Sequence, residues 1–177
     1  MELIERIGKT PMVKISNGLY AKAELLNPTG SIKDRPASWI LSFGGLKDET
    51  TICEATSGNM GVSFAWLAAS MGLNCVIVMP DNMSEERKKT LEFYGAKLIE
   101  VEAGNFDRAI EIRDELCEEN GWFNCNQFHN EWNIESHYMT TGVELLDWAK
   151  KENKSISAVV TGTGTGGTLM GCHARLK

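Results

Sequence analysis

Short apolar runs alternate with helical patterns along this chain of 177 residues, and this alternation restricts the possible folds more than any other feature. The apolar runs have the composition of buried strands and lie at 51–55, 75–79, 97–101 and 122–126. The helical patterns between them lie at 60–71, 84–94 and 106–119. Strands that alternate with helices in this way form right-handed β-α-β units around a parallel sheet. The sequence therefore predicts an α/β fold.

The segments on either side of this region complete the predicted element order. Two extended stretches, 11–15 and 19–24, are joined by an Asn-Gly turn, which is a strong hairpin signal. A turn-rich segment then leads into the first helix. After the alternating region we predict a helix at about 134–151. A last strand at 156–160 runs into a glycine-threonine loop and a short final helix.

Charge and composition narrow the classes of partner. Acids outnumber bases 24 to 18, and the sequence has no basic run, so we predict no nucleic-acid partner. The apolar stretches are too short to span a membrane and the N-terminus lacks a signal-peptide pattern, which predicts a cytoplasmic protein. The five cysteines are scattered without a C-x-x-C pair, so we interpret them as buried structural thiols and predict no metal site.

The glycine-threonine loop at 162–168 has the composition of an anion site. Its glycines allow close approach of the backbone, its threonines supply hydroxyl donors, and the helix that follows offers free N–H groups. A tight turn without a ligand is one alternative. A dinucleotide loop is another, but the sequence ends at Lys177 before a ribose-binding acid, and the Gly-Lys-Ser/Thr ending of a nucleoside-triphosphate loop is absent. A single phosphomonoester fits best.

Two further segments carry groups suited to chemistry. Ser31 and Asp34 have the spacing of a capping box, which places Lys33 in the first turn of a helix. A cation there is disfavoured by the helix dipole, so we predict a lowered pKa and an available neutral amine, although a solvated surface lysine is the alternative. Within the segment 54–61 a strand ends, and small hydrogen-bonding residues begin the next helix. These residues suit either a carboxylate site or a simple capped turn.

Taken together, these motifs resemble one family. Asn-Pro-Thr-Gly-Ser-Ile-Lys-Asp-Arg at 27–35, Thr-Ser-Gly-Asn at 56–59 and Gly-Thr-Gly-Gly-Thr at 164–168 occur in this order in the cysteine synthase (O-acetylserine sulfhydrylase) family of pyridoxal-phosphate enzymes. The resemblance covers essentially all 177 residues. It implies the tryptophan synthase β-like fold, also called fold type II, and pyridoxal 5'-phosphate as the cofactor.

The resemblance also implies a role for each matching residue. Lys33 resembles the Schiff-base lysine, and Asn59 the partner of the cofactor's 3'-oxygen. The residues that resemble the phosphate cup are Gly164, Thr165, Gly166, Gly167 and Thr168. Those that resemble the clasp of the substrate carboxylate are Thr56, Ser57, Gly58 and Gln127.

The implied reaction is β-replacement on an activated serine, in which O-acetylserine and sulfide give cysteine through an aminoacrylate. Met60 departs from the family pattern, which has threonine there. This and the local sequence after Asn130 also resemble synthases of 2,3-diaminopropionate, which use O-phosphoserine and an amino-acid amine. A truncated, non-catalytic relative that binds the cofactor is a further alternative, and an NAD-binding protein a distant one.

The resemblance divides the chain into three parts. Residues 1–37 correspond to the opening hairpin and cofactor-lysine segment of a large domain, 38–140 to a complete small domain, and 141–177 to the start of the large domain with its phosphate loop. Family members continue well past that loop, so we predict an incomplete large parallel-sheet domain. The expected partners are a small amino-acid substrate and either a second copy in a homodimer or a second chain that completes the large domain.

Overall fold

A four-stranded parallel sheet and a separate antiparallel hairpin carry the strands of residues 4–177, the part of the chain that the computed structural model describes. The strands are β1 (Met12–Ser16), β2 (Leu19–Lys22), β3 (Thr51–Ala55), β4 (Asn74–Pro80), β5 (Lys97–Val101) and β6 (Phe123–Asn124). The helices are α1 (Asp34–Phe43), α2 (Asn59–Met71), α3 (Glu85–Phe93), α4 (Phe106–Asn120), α5 (Glu131–Ser136), α6 (Gly142–Lys151) and α7 (Gly167–Leu176). No helix of this part is long and apolar enough to cross a membrane.

The parallel sheet has the order β5-β4-β3-β6 and is covered on both faces. Along β4, Cys75, Ile77 and Met79 join the apolar cluster formed with α1 and α2, whereas Val76 and Val78 join the cluster formed with α4. A strand whose alternate side chains are all buried is typical of a parallel sheet between two helical layers. The predicted α/β fold is confirmed, and all five cysteines are buried and unpaired.

The hairpin, β3 and β5 agree closely with the sequence prediction, whereas β6 is shorter than the predicted strand at 122–126. β1 pairs antiparallel with β2, and β3 and β5 have the predicted bounds. The predicted end of α4 is also correct, because Gly121 follows it in the left-handed conformation at φ 66°. The predicted helix at 134–151 begins earlier and is divided by a π-helical turn, His137–Thr141, between α5 and α6.

The predicted strand at 156–160 is wrong. This segment has no regular structure, and Val160 is 95% exposed. Its β-branched composition favours an extended backbone, but a strand also needs a neighbour that accepts and donates its backbone hydrogen bonds. No strand pairs with 156–160 in the region that the structure covers. The local pattern therefore could not decide the outcome.

A buried ion network joins the hairpin, α1 and α6. The side chain of Arg35 is 0% exposed and donates to Glu144 at 2.7 and 2.9 Å and to Glu24 at 2.8 Å. Lys22 on β2 makes a second ion pair with Glu144. Two carboxylates therefore share two cations, and the network fixes α1 immediately after Lys33.

This network predicts a loss of stability in acid. Burial opposes ionisation of Glu144, but hydrogen bonds from Arg35, Lys22 and the Lys9 N–H outweigh it and lower its pKa to about 2. A carboxylate with a lowered pKa stabilises the fold above its unfolded pKa, and this contribution is lost as the pH falls toward 2. Urea titrations should show that Glu144→Gln costs about 1.5–3 kcal/mol at pH 7 and that the difference from wild type shrinks in acid.

The matched control is Glu118→Gln, which removes an exposed acid from α4. We expect this variant to follow the wild-type pH dependence. An equal cost of Glu144→Gln at pH 7 and at low pH would contradict the assignment.

Candidate functional site

Lys33 lies immediately before α1 rather than within its first turn. Its backbone is already helical, with φ −69° and ψ −17°, and its N–H donates to Ser31 Oγ at 3.2 Å. The predicted capping box does not form, because the Asp34 carboxylate instead accepts from the Thr29 N–H at 2.8 Å and from Ser63 Oγ at 2.6 Å. Asp34 thus ties the Lys33 segment to α2, and the buried Arg35 ties it to the ion network.

The pKa of the Lys33 amine is lowered, as predicted. Burial is the cause, because it raises the cost of the charged form. A lowered pKa increases the fraction of neutral amine at neutral pH, and only the neutral amine is a nucleophile or a base. Lys33 is therefore chemically suited to form a covalent bond with a carbonyl group.

The loop after β3 is fixed by its own hydrogen bonds and by α3. The Thr56 N–H donates to the Val78 carbonyl at 3.0 Å, and Thr56 Oγ1 accepts from the Gly58 N–H at 3.2 Å. Arg87 on α3 donates to the Ser57 carbonyl. Gly58 precedes α2 without a side-chain cap, and Asn59, the first residue of α2, is exposed. The first N–H groups of α2 are thus available to an anion such as a carboxylate.

The buried ion pair between Glu54 and Arg113 lies next to this loop and was not predicted from the sequence. Glu54 is the residue before Ala55 at the end of β3, and its carboxylate accepts from the Ala55 N–H at 2.9 Å, the Gln127 N–H at 3.0 Å and Arg113 at 3.1 Å. Burial raises the pKa of Glu54 to about 7, although these hydrogen bonds and the charge of Arg113 oppose the rise. An acid within an apolar strand was the available signal for such a pair.

The glycine-threonine loop leads into α7 through a left-handed turn at Gly166, which has φ 80°. Thr165 Oγ1 accepts from the Gly167 N–H at 3.3 Å and from Asn133 Nδ2 at 2.9 Å. Thr168 Oγ1 lies 3.2 Å from His137 Nε2. The loop therefore places two hydroxyls and the N-terminus of a helix together, which is the arrangement expected of a phosphate site.

His137 connects the phosphate loop to the lysine segment. It is fully buried in the π-helical turn, and its Nδ1 lies 2.9 Å from Thr141 Oγ1. Burial, together with the charges of Lys33 and Arg35, lowers its pKa to about 3, so the ring is neutral at physiological pH. Ile32, the neighbour of Lys33, and Thr168 line one cavity of about 920 Å³, but Lys33 itself and residues 164–167 are not among its lining residues. The link between the lysine segment and the glycine-threonine loop therefore rests on His137.

The residues predicted to bind the substrate carboxylate are connected to the glycine-threonine loop by hydrogen bonds and do not line the cavity. Thr56, Asn59 and Gln127 are not among the residues that line it. Gln127 is instead joined to the phosphate loop by Asn133, whose Nδ2 donates to the Gln127 carbonyl at 2.9 Å as well as to Thr165. Asn133 was also missed, because its polar contacts lie on segments distant in sequence.

The groups present fit pyridoxal phosphate. A half-buried lysine with a lowered pKa suits the aldehyde, and a glycine-rich helix N-terminus with two hydroxyls suits the phosphate. Within residues 4–177, no group of three histidines, cysteines or acids could hold a metal ion.

Close packing in the phosphate loop makes Gly167 intolerant of a side chain. A Cβ at Gly167 would lie 2.1 Å from Asn133 Oδ1, whereas one at Gly164 would meet nothing within 4 Å. We therefore expect Gly167→Ala to destabilise the protein by about 1–3 kcal/mol, as overpacking does, and to lower the melting temperature by several degrees. Gly164→Ala is the matched control and should cost less than about 0.5 kcal/mol without cofactor. Equal melting temperatures for the two variants would contradict this packing.

Comparison with known proteins places the whole chain in one group. The family model described as "Pyridoxal-phosphate dependent enzyme" matches residues 3–177. A cysteine synthase of Staphylococcus aureus is 42% identical over 183 residues, an alignment that covers 97% of this chain and 58% of the relative. The O-ureido-L-serine synthase of Streptomyces lavendulae is 39% identical, with 99% of this chain and 57% of the relative covered.

Solved structures give the same result. A crystal structure of O-ureido-L-serine synthase has a TM-score of 0.91 and 39% identity, and covers 98% of this chain and 58% of that chain. A hydrogen sulfide-producing enzyme from Fusobacterium nucleatum has a TM-score of 0.88 and 36% identity, with coverages of 98% and 61%. This chain thus spans a little over half the length of the proteins that it matches.

Proposed function

This chain belongs to the family of pyridoxal-phosphate-dependent enzymes, and we propose that it carries the cofactor and substrate groups for β-replacement on an activated serine. O-acetylserine is the proposed substrate, sulfide the nucleophile and cysteine the product. The observation that carries the proposal is the position of His137, which contacts the glycine-threonine loop at a helix N-terminus and lies near the half-buried Lys33 with its lowered pKa.

Lys33 is the proposed attachment point and proton carrier. Its neutral amine would hold the cofactor through the aldehyde carbon, with loss of water, and once released it would take the proton from the substrate α-carbon. When bound, pyridoxal phosphate supplies the electron sink for the charge left at that carbon. The hydrogen bonds of Ser31 and Asp34 hold the backbone on either side of Lys33, which orients its side chain.

The phosphate and the substrate carboxylate are the two anions that the site must hold. The residues proposed to bind the phosphate are Gly164, Thr165, Gly166, Gly167 and Thr168. The residues proposed to bind the substrate carboxylate are Thr56, Ser57, Gly58 and Gln127. Asn59 is the proposed partner of the cofactor's 3'-oxygen. The exposed Asn59 at the start of α2 and the Glu54–Gln127 hydrogen bond support this division, because each anion then meets backbone N–H groups at a separate helix N-terminus.

The test is spectroscopic. Addition of pyridoxal phosphate to the protein should give the visible absorbance of a lysine-bound cofactor, and O-acetylserine should then convert that band to a second one. Sulfide should restore the first band as cysteine forms. No band with the cofactor, or no change with either O-acetylserine or O-phosphoserine, would contradict the proposal.

A second candidate is a synthase that uses O-phosphoserine and an amino-acid amine. Met60 favours it, because this residue is buried at the start of α2, directly after the proposed carboxylate loop, and brings a thioether where a hydroxyl would bind a polar group. The two candidates are separated by which serine ester changes the absorbance. Cofactor binding without α-proton exchange in deuterated water would instead indicate a non-catalytic relative.

The assembly is part of the same proposal. We propose a cytoplasmic protein whose residues 38–140 form the small domain and whose segments 1–37 and 141–177 belong to the large one. A homodimer, or a second chain that completes the large domain, is the proposed partner. The exposed Val160 and the apolar hairpin side chains Val13, Ile15 and Leu19 support a further covering element.

A further inference from the structure

Asn133 lies between the glycine-threonine loop and the segment that carries Gln127. It lies on α5, is 3% exposed, and uses a single amide nitrogen to contact both segments. Asn133 Nδ2 lies 2.9 Å from the Gln127 carbonyl and 2.9 Å from Thr165 Oγ1. Among the described residues, no other side chain makes hydrogen bonds to both segments, so Asn133 is the direct polar link between them.

The hydrogen bonds at Thr165 determine where its proton points. A hydroxyl has two lone pairs and one proton. Thr165 Oγ1 accepts from Asn133 Nδ2 and from the Gly167 N–H, which occupies both lone pairs. The Thr165 proton is then left for a third group, and an anion in the loop requires donors. We infer that Asn133 is a positioning residue that directs the Thr165 hydroxyl proton toward the cofactor phosphate. The inference rests on the proposed function of this loop.

The amide of Asn133 is held in the orientation that this role needs. The Gln127 carbonyl can only accept, so a nitrogen must face it, and the amide oxygen faces α7 instead. Asn133 Oδ1 has no hydrogen-bond partner among the described residues and lies where a Cβ on Gly167 would be. Rotation of the amide would place oxygen against the Gln127 carbonyl and against a Thr165 lone pair. The donor to Thr165 is therefore fixed.

The test replaces the donor with an acceptor of the same size. In Asn133→Asp a carboxylate oxygen replaces Nδ2, so the Thr165 proton should turn toward the carboxylate and away from the phosphate. We expect the affinity for pyridoxal phosphate, measured by absorbance titration, to fall at least about tenfold. Pyridoxal, which has the aldehyde but no phosphate, should bind with unchanged affinity. A variant that merely disturbs the fold would weaken both ligands.

Two controls isolate the effect. Asn130→Asp adds the same charge three positions earlier, where the side chain contacts the Trp132 N–H and the Cys125 carbonyl rather than either loop, and it should retain wild-type discrimination between the ligands. Thr165→Val should weaken pyridoxal phosphate as Asn133→Asp does, and the double variant should be no weaker than Thr165→Val alone. If Asn133→Asp does not fold, the isosteric Asn133→Leu should show the same selective loss.

The outcomes separate this inference from the proposed function. If the wild-type protein binds neither pyridoxal phosphate nor pyridoxal, the proposed function fails. If it binds both, and Asn133→Asp weakens them equally or adds fully to Thr165→Val, the inference about Asn133 is overturned while the proposed function stands.

Discussion

Lys33→Ala is expected to remove the visible absorbance of the bound cofactor and to lower the rate of β-replacement by about a thousandfold. In the proposed function the covalent bond to the aldehyde and the proton transfer at the α-carbon both require the Lys33 amine, and a positioned general base alone contributes about 10²–10⁴-fold. The amine is suited to both tasks because burial lowers its pKa. Absorbance titration with pyridoxal phosphate and a cysteine-formation assay measure the two effects.

The remainder of the site should survive this change. The phosphate loop is held by Asn133 and His137 rather than by Lys33, so pyridoxal phosphate should still bind to Lys33→Ala noncovalently and quench tryptophan fluorescence. Lys47→Ala, which removes an exposed lysine before β3, is the matched control and should retain both the absorbance and the rate. An unchanged absorbance band in Lys33→Ala would show that another lysine carries the cofactor.

The second large effect is on stability. Arg113→Met should lower the free energy of unfolding by about 3–5 kcal/mol above pH 8, where the buried Glu54 carboxylate is ionised and needs its charged partner. Arg108→Met is the matched control on the same helix. Arg108 is exposed and pairs with Glu111 and Glu115 at the surface, where solvent screens the charges, so its loss should cost far less stability than the loss of Arg113. Urea titrations of both variants provide the comparison.

The pH dependence gives a second measurement of the same pair. Burial raises the pKa of Glu54 to about 7, above its unfolded value. The stability that this group contributes is therefore fully present below the unfolded pKa and is lost as the pH rises through about 7. Without Arg113 the pKa should rise further, so the loss should extend to higher pH. Addition of Glu54→Gln to Arg113→Met should restore part of the stability and remove this pH dependence, and a purely additive double variant would contradict the pairing.

Local pattern was sufficient for much of the fold. The bounds of β3 and β5, the hairpin turn and the glycine that ends α4 follow from side-chain periodicity and backbone preference, which act over a few residues. The segment 156–160 has the same kind of pattern but forms no strand, because pairing depends on a neighbour. The direction of the Lys33 pKa shift was predicted correctly from its position, whereas its cause, burial, depends on elements distant in sequence.

The residues of the candidate site also fall into those that the sequence reveals and those that only the fold reveals. Lys33, Thr56 and the glycine-threonine loop carry unusual local composition and could be selected from the sequence. Asn133 and Glu54 could not be assigned a role, because their contacts with Thr165 and Gln127 join segments that are far apart along the chain. Such residues become recognisable only when the fold brings their partners together.

The strand order β5-β4-β3-β6 has a consequence for the way the chain acquires its structure. β3 and β4 are separated by one helix and can pair early, but the other edge of β3 pairs with β6, which joins Ile52 to Phe123. Pairing over such a separation is slow, and during synthesis that edge stays open until β6 has left the ribosome. Glu54 meets Gln127 only at this step. The proposed carboxylate loop should therefore reach its final structure late, and slow translation would prolong its exposure to chaperones and proteases.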